Sequence, residues 1–202
     1  MLTISCSPSK DERNLEQKKM TDKNEVDSLL NLMTLVEKVG QMVQYSGGWD
    51  LTGPASSNNN KQKERQIKKG LVGSMLNVTS VEQIREAQRL AIDSSRLKIP
   101  MLFGFDVIHG YQTMFPIPLA EAASWDLDLM KQTAKTAAKE ATAAGVNWTF
   151  APMVDISQDA RWERIMESAG DNPYLNKKVA LAKRNVYQGN DVEDGPLFPF
   201  VQ

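Results

Sequence analysis

Five charged residues lie where apolar segments of the chain end, and their types suit the binding of a small polar ligand. They are Asp106 and Asp155, each directly after an apolar segment, and Arg161, Arg164 and Glu167 in the loop that follows the second segment. A carboxylate accepts hydrogen bonds from adjacent hydroxyl groups, and a guanidinium donates to another hydroxyl through a planar fork. The pattern therefore favours a polyol such as a sugar. An equally good interpretation is that Asp106 and one arginine form a buried structural ion pair.

The single histidine and the single cysteine exclude several kinds of site. With only His109 present, any metal site that needs two imidazoles is excluded, and any Ser-His-Asp triad would have to use His109. With only Cys6 present, internal disulfides and cysteine-rich zinc sites are excluded. The spacing of Asp106, His109 and Asp155 does not require a metal, so we predict neither a metal nor a cofactor. We expect His109 to orient its loop by hydrogen bonding rather than to act as an acid or base.

Composition indicates one soluble globular domain. The 202 residues are 41% hydrophobic and 24% charged, and 24 basic against 25 acidic side chains leave a formal charge of −1. Such a balance gives no general attraction to nucleic acid or to an anionic membrane. No stretch approaches the ~20 consecutive apolar residues of a membrane-spanning helix, so we predict no membrane span.

Short apolar runs alternate with longer amphipathic ones after Gly70. The predicted strands are Leu71 to Val78, Met101 to Ile108 and Trp148 to Ile156, and the predicted helices are Val81 to Ser95, Asp126 to Ala144 and Pro173 to Gln188. This alternation predicts parallel strands joined by crossover helices, in either an α/β barrel or a doubly wound sheet. No glycine-rich phosphate loop follows the first strand, so a dinucleotide-binding unit is disfavoured.

The N-terminal quarter is organised differently. Residues 1–25 are polar and highly charged, which predicts a disordered tether. A helix follows from Val26 and is broken where Thr34 and Glu37 have the spacing of a capping box. The basic run 61–69 is more typical of a solvated helix face than of a phosphate site.

The first ten residues have two interpretations. Small and apolar residues lead into Cys6, as at the end of a bacterial lipoprotein signal, but a basic region and most of an apolar region are missing. A frayed terminus with an incidental cysteine fits equally well. If the true start lies upstream, Cys6 would be a lipid anchor and the chain would be periplasmic or extracellular; the chain as given has no complete signal peptide.

Five segments carry a resemblance to a known family. They are MTLVEKVGQM at 33–42, PMLFGFDVIHGY at 100–111, FPIPLAEAASWD at 115–126, NWTFAPMVDI at 147–156 and RWERIMES at 161–168. In this order they resemble the N-terminal barrel domain of glycoside hydrolase family 3, in particular periplasmic β-glucosidases. The resemblance implies an incomplete (β/α)8 TIM-like barrel of parallel strands and crossover helices over 26–194, with 195–202 as an unmatched tail.

The family resemblance also implies a function and site residues. Family members hydrolyse terminal β-linked glucose with retention, and Asp106 and Arg164 match two residues that bind the sugar in the −1 subsite. The nucleophile, the acid/base residue and a Lys-His pair of the family match no position here, so we expect no catalytic residue in this chain and no activity from the chain alone. The alternative is a noncatalytic carbohydrate-binding or assembly subunit that needs a complementary chain.

Departures from the family pattern and the short length give two more expectations. Glu163 replaces a motif glycine and Gln112 an arginine, and we expect Glu163 to pair with Arg161 or Arg164. A complete barrel takes ~250 residues and eight strands. We therefore expect the apolar strand faces around Val72, Leu102 and Phe150 to be partly uncovered, which would favour self-association or a complementary chain at the open barrel edge.

Overall fold

The computed structural model describes residues 23–46, 57–189 and 198–199. Cys6 and residues 1–22 of the predicted tether lie outside these residues, whereas residues 23–25 belong to the first helix. The helices are α1 (23–32), α2 (Leu35–Gln41), α3 (Ser57–Lys68), α4 (Val81–Ser94), α5 (Pro118–Ala123), α6 (Leu127–Ala143) and α7 (Pro173–Gln188), with a 3-10 turn at Ile165–Glu167. The strands are β1 (Gln44–Ser46), β2 (Ser74–Leu76), β3 (Leu102–Phe105), β4 (Trp148–Thr149) and β5 (Phe198–Pro199).

The described strands form one parallel sheet in the order β1-β2-β3-β4-β5. Met75 pairs with Phe103, and Gly104 pairs with Trp148, so β3 lies at the centre. Consecutive strands are neighbours and at least one helix separates each pair along the chain, which is the arrangement of a (β/α)8 barrel. Within the described residues β1 and β5 are the two edges, so the barrel is not closed. The predicted fold class is confirmed.

Predicted helices agree with the structure more closely than predicted strands. The helix at Pro173–Gln188 has the predicted ends, α4 is one residue shorter at its C-terminus, and α6 is one residue shorter at each end. The strands are shorter than predicted because apolar residues continue beyond the hydrogen-bonded ladder. After β2 the chain turns at Asn77, whose φ is 63°, and after β4 Pro152 has no N–H to donate to a neighbouring strand. β1 and β5, with three and two residues, were not predicted.

The predicted break between α1 and α2 is confirmed. The Thr34 backbone N–H donates to the Glu37 carboxylate at 2.8 Å, and the Glu37 N–H donates to the Thr34 hydroxyl, which is a capping box. Arg96 joins this corner by donating to Glu37 at 2.6 Å and to the Leu32 carbonyl at 2.9 Å. The hydrogen bonds from Arg96 and Thr34 lower the pKa of Glu37 to about 2. The loop after α4 therefore fixes the angle between the first two helices.

One face of the sheet is covered by helices. α3 and α4 pack on it through Ile67, Ile84 and Leu90, which surround Met75 and Phe103. On the other half of this face α6 contributes a stripe of buried alanines, Ala134, Ala137 and Ala141, next to Val107 and Val146. Small side chains let a helix approach the sheet closely. No helix in the described part of the chain is long and apolar enough to cross a membrane.

The opposite face of the sheet is open. Leu102 is 40% exposed, and Trp148 and Phe150 are only partly buried. Leu102 and Trp148 line a hollow of about 520 Å³ near the amino ends of the strands. The expectation of uncovered strand faces is thus confirmed at Leu102 and Phe150 and is wrong at Val72, which is 3% exposed because it packs in the core under α3 and α4.

A buried ion pair ties α5 to α7. The Lys183 ammonium donates to the Glu121 carboxylate, and their side chains are 4% and 6% exposed. The Thr133 hydroxyl of α6 donates to the same carboxylate at 2.7 Å. Because no other described residue compensates these charges, loss of one partner leaves an uncompensated buried charge.

We expect Lys183→Met to lower the free energy of unfolding by about 3–5 kcal/mol, because it leaves the Glu121 carboxylate buried without a cation. The double variant Glu121→Leu/Lys183→Met should recover most of this loss, since an apolar pair carries no desolvation penalty. Urea denaturation measures both, with Lys131→Met as the control. Lys131 pairs with Asp128 at the surface, so its replacement should change stability by less than about 0.5 kcal/mol. A loss at Lys183 no larger than that at Lys131 would contradict this account of the pair.

Candidate active site

Asp106 is the first residue after β3 and reaches solvent at the carboxyl end of the sheet. The next residue is anchored to α7, because the buried Tyr187 hydroxyl donates to the Val107 carbonyl at 2.8 Å. Burial, and secondarily the charge of Glu121, raises the pKa of Tyr187, so its hydroxyl stays protonated and donates. The backbone beside Asp106 is therefore fixed to the helical layer.

His109 closes the loop that follows Asp106. Its Nδ1 lies 3.0 Å from the Phe115 carbonyl oxygen, and the Phe115 N–H donates to the His109 carbonyl at 2.8 Å. A carbonyl oxygen only accepts, so Nδ1 is the protonated nitrogen in this contact. The expectation that His109 orients the loop by hydrogen bonding is confirmed by these contacts.

Glu140, on α6, holds the tip of the same loop. Its carboxylate accepts from the backbone N–H groups of Gln112 and Thr113 at 2.9 and 2.8 Å, and from the Thr113 hydroxyl at 2.6 Å. These hydrogen bonds lower the pKa of Glu140. Glu140 was not predicted from the sequence, because its partners are mainly backbone groups of residues 27 and 28 positions away, for which no motif exists.

The second loop, between β4 and α7, is closed at its base. The Ser157 N–H donates to the Gly170 carbonyl at 3.2 Å, and the Ser157 and Ser168 hydroxyls form a buried hydrogen bond. Buried Asn176 of α7 donates to the Gly170 carbonyl at 2.9 Å and accepts from the Ala169 N–H at 3.3 Å. Residues 157–170 thus form a loop whose two ends are fixed to each other and to α7.

Arg164 lies in this loop, and its carboxylate partner is Glu167. Nε of Arg164 donates to one carboxylate oxygen of Glu167 at 3.1 Å and Nη2 donates to the other at 2.7 Å, across the 3-10 turn. Arg161 pairs with Asp159 at 2.5 Å. The expected pairing of Glu163 with either arginine is wrong among the described contacts: Glu163 is exposed, and a spacing of three residues places Glu167, not the adjacent Glu163, within reach of the Arg164 fork.

The charges of four site residues act on one another: Asp106, Asp155, Arg164 and Glu167. Partial burial, and then the Glu167 charge, raise the pKa of Asp106, while Arg164 acts in the opposite direction. The hydrogen bonds to Glu167, and further the charges of Asp155 and Asp106, raise the pKa of Arg164. The two residues predicted to bind sugar therefore sense each other's charge across the carboxyl ends of β3 and β4.

Asp106 itself makes no hydrogen bond or ion pair with another residue of the described part of the chain. The alternative interpretation, in which Asp106 and an arginine form a buried structural pair, is therefore wrong, because Asp106 is exposed and Arg164 pairs with Glu167. The carboxylate oxygens of Asp106 therefore keep their capacity to accept hydrogen bonds. Among the described residues no cluster of three or more His, Cys, Asp or Glu side chains is placed to hold a metal ion.

A parallel α/β barrel arrangement with charged loops at the carboxyl ends of its strands defines a class of enzymes whose sites lie at that end of the barrel. Residues 34–194 match the glycosyl hydrolase family 3 N-terminal domain. The chain belongs to glycoside hydrolase family 3.

Individual relatives agree with this assignment. The chain is similar to a periplasmic β-glucosidase of Salmonella typhimurium, with 39% identity over 84% of this chain and 21% of that protein. It is also similar to a lysosomal β-glucosidase of Dictyostelium discoideum, with 30% identity over 85% of this chain and 24% of that protein. A β-glucosidase structure from Listeria innocua in complex with glucose superposes with a TM-score of 0.72 at 37% identity, covering 83% of this chain and 24% of that one. The chain thus spans between a fifth and a quarter of the length of these relatives.

We expect Asp106→Asn to stabilise the chain at pH 7. The pKa of Asp106 is raised, so between its ordinary value of 3.8 and the folded value the native state holds more protons than the unfolded state, and stability falls as pH rises through that window. The amide removes this cost at neutral pH, and its advantage should disappear as the pH falls below 3.8. Urea midpoints of the parent chain and the variant across this range measure the effect.

Asp128→Asn provides a control of opposite sign. The hydrogen bond from Lys131 lowers the pKa of Asp128, so its carboxylate stabilises the folded state at neutral pH and this contribution is lost on acidification. The Asp128 variant should therefore be less stable than the parent at pH 7. A lower urea midpoint for Asp106→Asn at pH 7 would contradict the account of a desolvated, unpaired carboxylate.

Proposed function

We propose that this chain supplies part of the −1 sugar subsite of a β-glucosidase-type hydrolase, through Asp106 and Arg164. The observation that carries the proposal is the Asp106 carboxylate at the carboxyl end of β3, which has no partner among the described residues and feels the charge of the oriented Arg164. Acceptor and donor then face one ligand from two neighbouring loops. A pair of adjacent sugar hydroxyls matches the carboxylate, and another hydroxyl matches the guanidinium.

The substrate class in this proposal is a terminal β-glucoside. The family assignment supports it, as do relatives named as β-glucosidases and Listeria innocua structures in complex with glucose and with laminaribiose. Asp106 follows a strand that pairs on both sides, and Arg164 lies in a loop closed at its base, so both side chains have fixed starting points. Such preorganisation reduces the entropy lost when a ligand binds.

Hydrolysis itself requires two further groups. Retention needs a nucleophile and an acid/base residue whose carboxyl groups lie ~5 Å apart on either side of the bond that is cleaved. The family resemblance assigns neither role to a position in residues 34–194. We therefore propose that this chain binds the sugar and does not cleave it alone, and that the reaction requires the groups found elsewhere in complete family members.

Placement of the protein in the periplasm or outside the cell belongs to the same proposal. A periplasmic β-glucosidase of Salmonella typhimurium and a periplasmic β-glucosidase/β-xylosidase of Dickeya chrysanthemi are among the relatives. Lipid attachment at Cys6 is part of this proposal only if residues precede Met1.

A noncatalytic assembly role is the second candidate, and two surfaces favour it. The hollow at Leu102 and Trp148 is open, and α2 exposes Leu35, Val36 and Val39 by 76%, 63% and 54%. Exposed apolar surface of this kind marks an interaction site or a tendency to aggregate. In this candidate role the surfaces would bind a complementary chain that supplies the remaining barrel strands.

We expect the purified chain to hydrolyse an aryl β-glucoside no faster than the buffer does, because covalent and general-acid catalysis have no assigned residues. Glucose should bind with a Kd no tighter than ~1 mM, which corresponds to ~4 kcal/mol, because two charged hydrogen bonds must offset the lost motion of the sugar. Asp106→Ala should weaken this binding by about tenfold or more, since each hydrogen bond to a charged group contributes ~1.5–3 kcal/mol. NMR titration measures the binding.

Three results would contradict the proposal. Turnover that survives repurification and disappears in Asp106→Ala would place catalytic groups in this chain. Micromolar glucose binding, or binding indifferent to Asp106, would favour an independent binding module. Sedimentation and apolar dye binding on the same samples bear on the second candidate: a monomer at all concentrations would exclude self-association, and little dye binding would contradict the exposed apolar surface that this candidate requires.

A further inference from the structure

We infer that Glu167 is the positioning residue for the sugar-binding site, because it holds the Arg164 guanidinium in a fixed orientation at the carboxyl end of the sheet. This inference rests on the proposed function, since it concerns how the same site is prepared for its ligand. It assigns a role to a carboxylate that touches Arg164 rather than the sugar.

The geometry of the pair is that of a fork. Glu167 accepts from both Nε and Nη2 of Arg164, at 3.1 and 2.7 Å. A guanidinium held through two parallel hydrogen bonds keeps its plane and direction, whereas a single contact leaves it free to rotate. The fork uses two of the five guanidinium N–H donors.

The backbone between the two residues makes this pairing local and rigid. Ile165–Glu167 is a 3-10 turn that begins directly after Arg164, and its Glu167 N–H donates to the Arg164 carbonyl at 3.0 Å. The turn packs against α5, and the next residue, Ser168, is buried at the base of the loop. The backbone of Glu167 is therefore held in place, which fixes the position from which its carboxylate binds Arg164.

Charge supports the same assignment. Glu167 and Arg164 are the charged groups that act on Asp106, with opposite signs, and Asp155 acts on Arg164 as well. Arg164 directs its Nε and Nη2 at Glu167 and makes its ion pair there, not with Asp106. That pairing leaves the Asp106 carboxylate available for a ligand.

The chain provides a matched control in the same loop. Glu163 has the same side chain as Glu167, is exposed, and forms no ion pair with the described residues. Glu163→Gln and Glu167→Gln therefore make the same change in net charge four residues apart, and only the second removes the carboxylate that binds Arg164.

We test the inference with the parent chain, Glu167→Gln and Glu163→Gln, by NMR titration with glucose. The readouts are the glucose Kd and the shift of the Arg164 Nε–H signal during the titration, with the urea midpoint as a check on folding. In the parent chain and Glu163→Gln, the Nε–H signal should be protected from solvent exchange and should move saturably with glucose. In Glu167→Gln, we expect a five- to tenfold weaker Kd, loss of the protection and no saturable shift.

Each alternative outcome is decisive. Unchanged glucose binding in Glu167→Gln overturns the inference. An equal loss of glucose binding in Glu163→Gln also overturns it, because the loss would then be an effect of net charge. If the parent chain binds no glucose, the proposed function fails. Protection of the Arg164 Nε–H then still decides the positioning role: loss only in Glu167→Gln supports it, and protection that survives in that variant overturns it.

Discussion

Parallel pairing between β3 and β4 is the constraint on which the site depends. Gly104 pairs with Trp148 and Phe105 with Thr149, so both strands end at the same edge of the sheet. Asp106 leaves that edge directly, and the chain after β4 leaves it toward the loop that holds Arg164. A Cβ atom at Gly104 would lie 3.1 Å from the Phe150 ring and 3.3 Å from the Trp148 ring, so a larger residue would force the two aromatic rings to move. The central strand therefore needs a glycine for the aromatic side chains to pack on the open face.

The loops are ordered by side chains of the helical layer rather than by their own sequences. Three helical side chains make hydrogen bonds to backbone groups of the two loops. Tyr187 and Asn176 of α7 donate, and Glu140 of α6 accepts. The buried Lys183–Glu121 pair joins α7 to α5, against which the 3-10 turn packs. Breaking a buried tie of this type leaves an unsatisfied polar group, which is costly. The packed helices thus fix the backbone of the loops at the carboxyl end of the sheet.

Much of the fold was predictable because its determinants are local. The Thr34 capping box and the Asn172-Pro173 start of α7 are signals read within four residues, and the alanine stripe of α6 repeats with helical spacing. β1 and β5 were missed because two or three residues carry no periodicity, and the pairing that defines them is made with distant strands. For the candidate site, the residue types and the family resemblance single out Asp106 and Arg164, whose binding of sugar stays a prediction. The pairing of Arg164 with Glu167 instead of Glu163 depends on a 3-10 turn, and Glu140 acts on backbone groups; neither leaves a pattern in the sequence.

The central claim is that Asp106 and Arg164 present a working sugar subsite, and it is tested most directly in a catalytic setting. Residues 34–194 of this chain can replace the matching segment of the Salmonella periplasmic β-glucosidase, and the folded chimera can be assayed with an aryl β-glucoside. We expect the chimera to hydrolyse the substrate, and Asp106→Asn within it to lower kcat/KM about 10- to 100-fold through the loss of charged hydrogen bonds to the sugar. A folded chimera without activity, or one whose activity is indifferent to Asp106→Asn, would contradict the account.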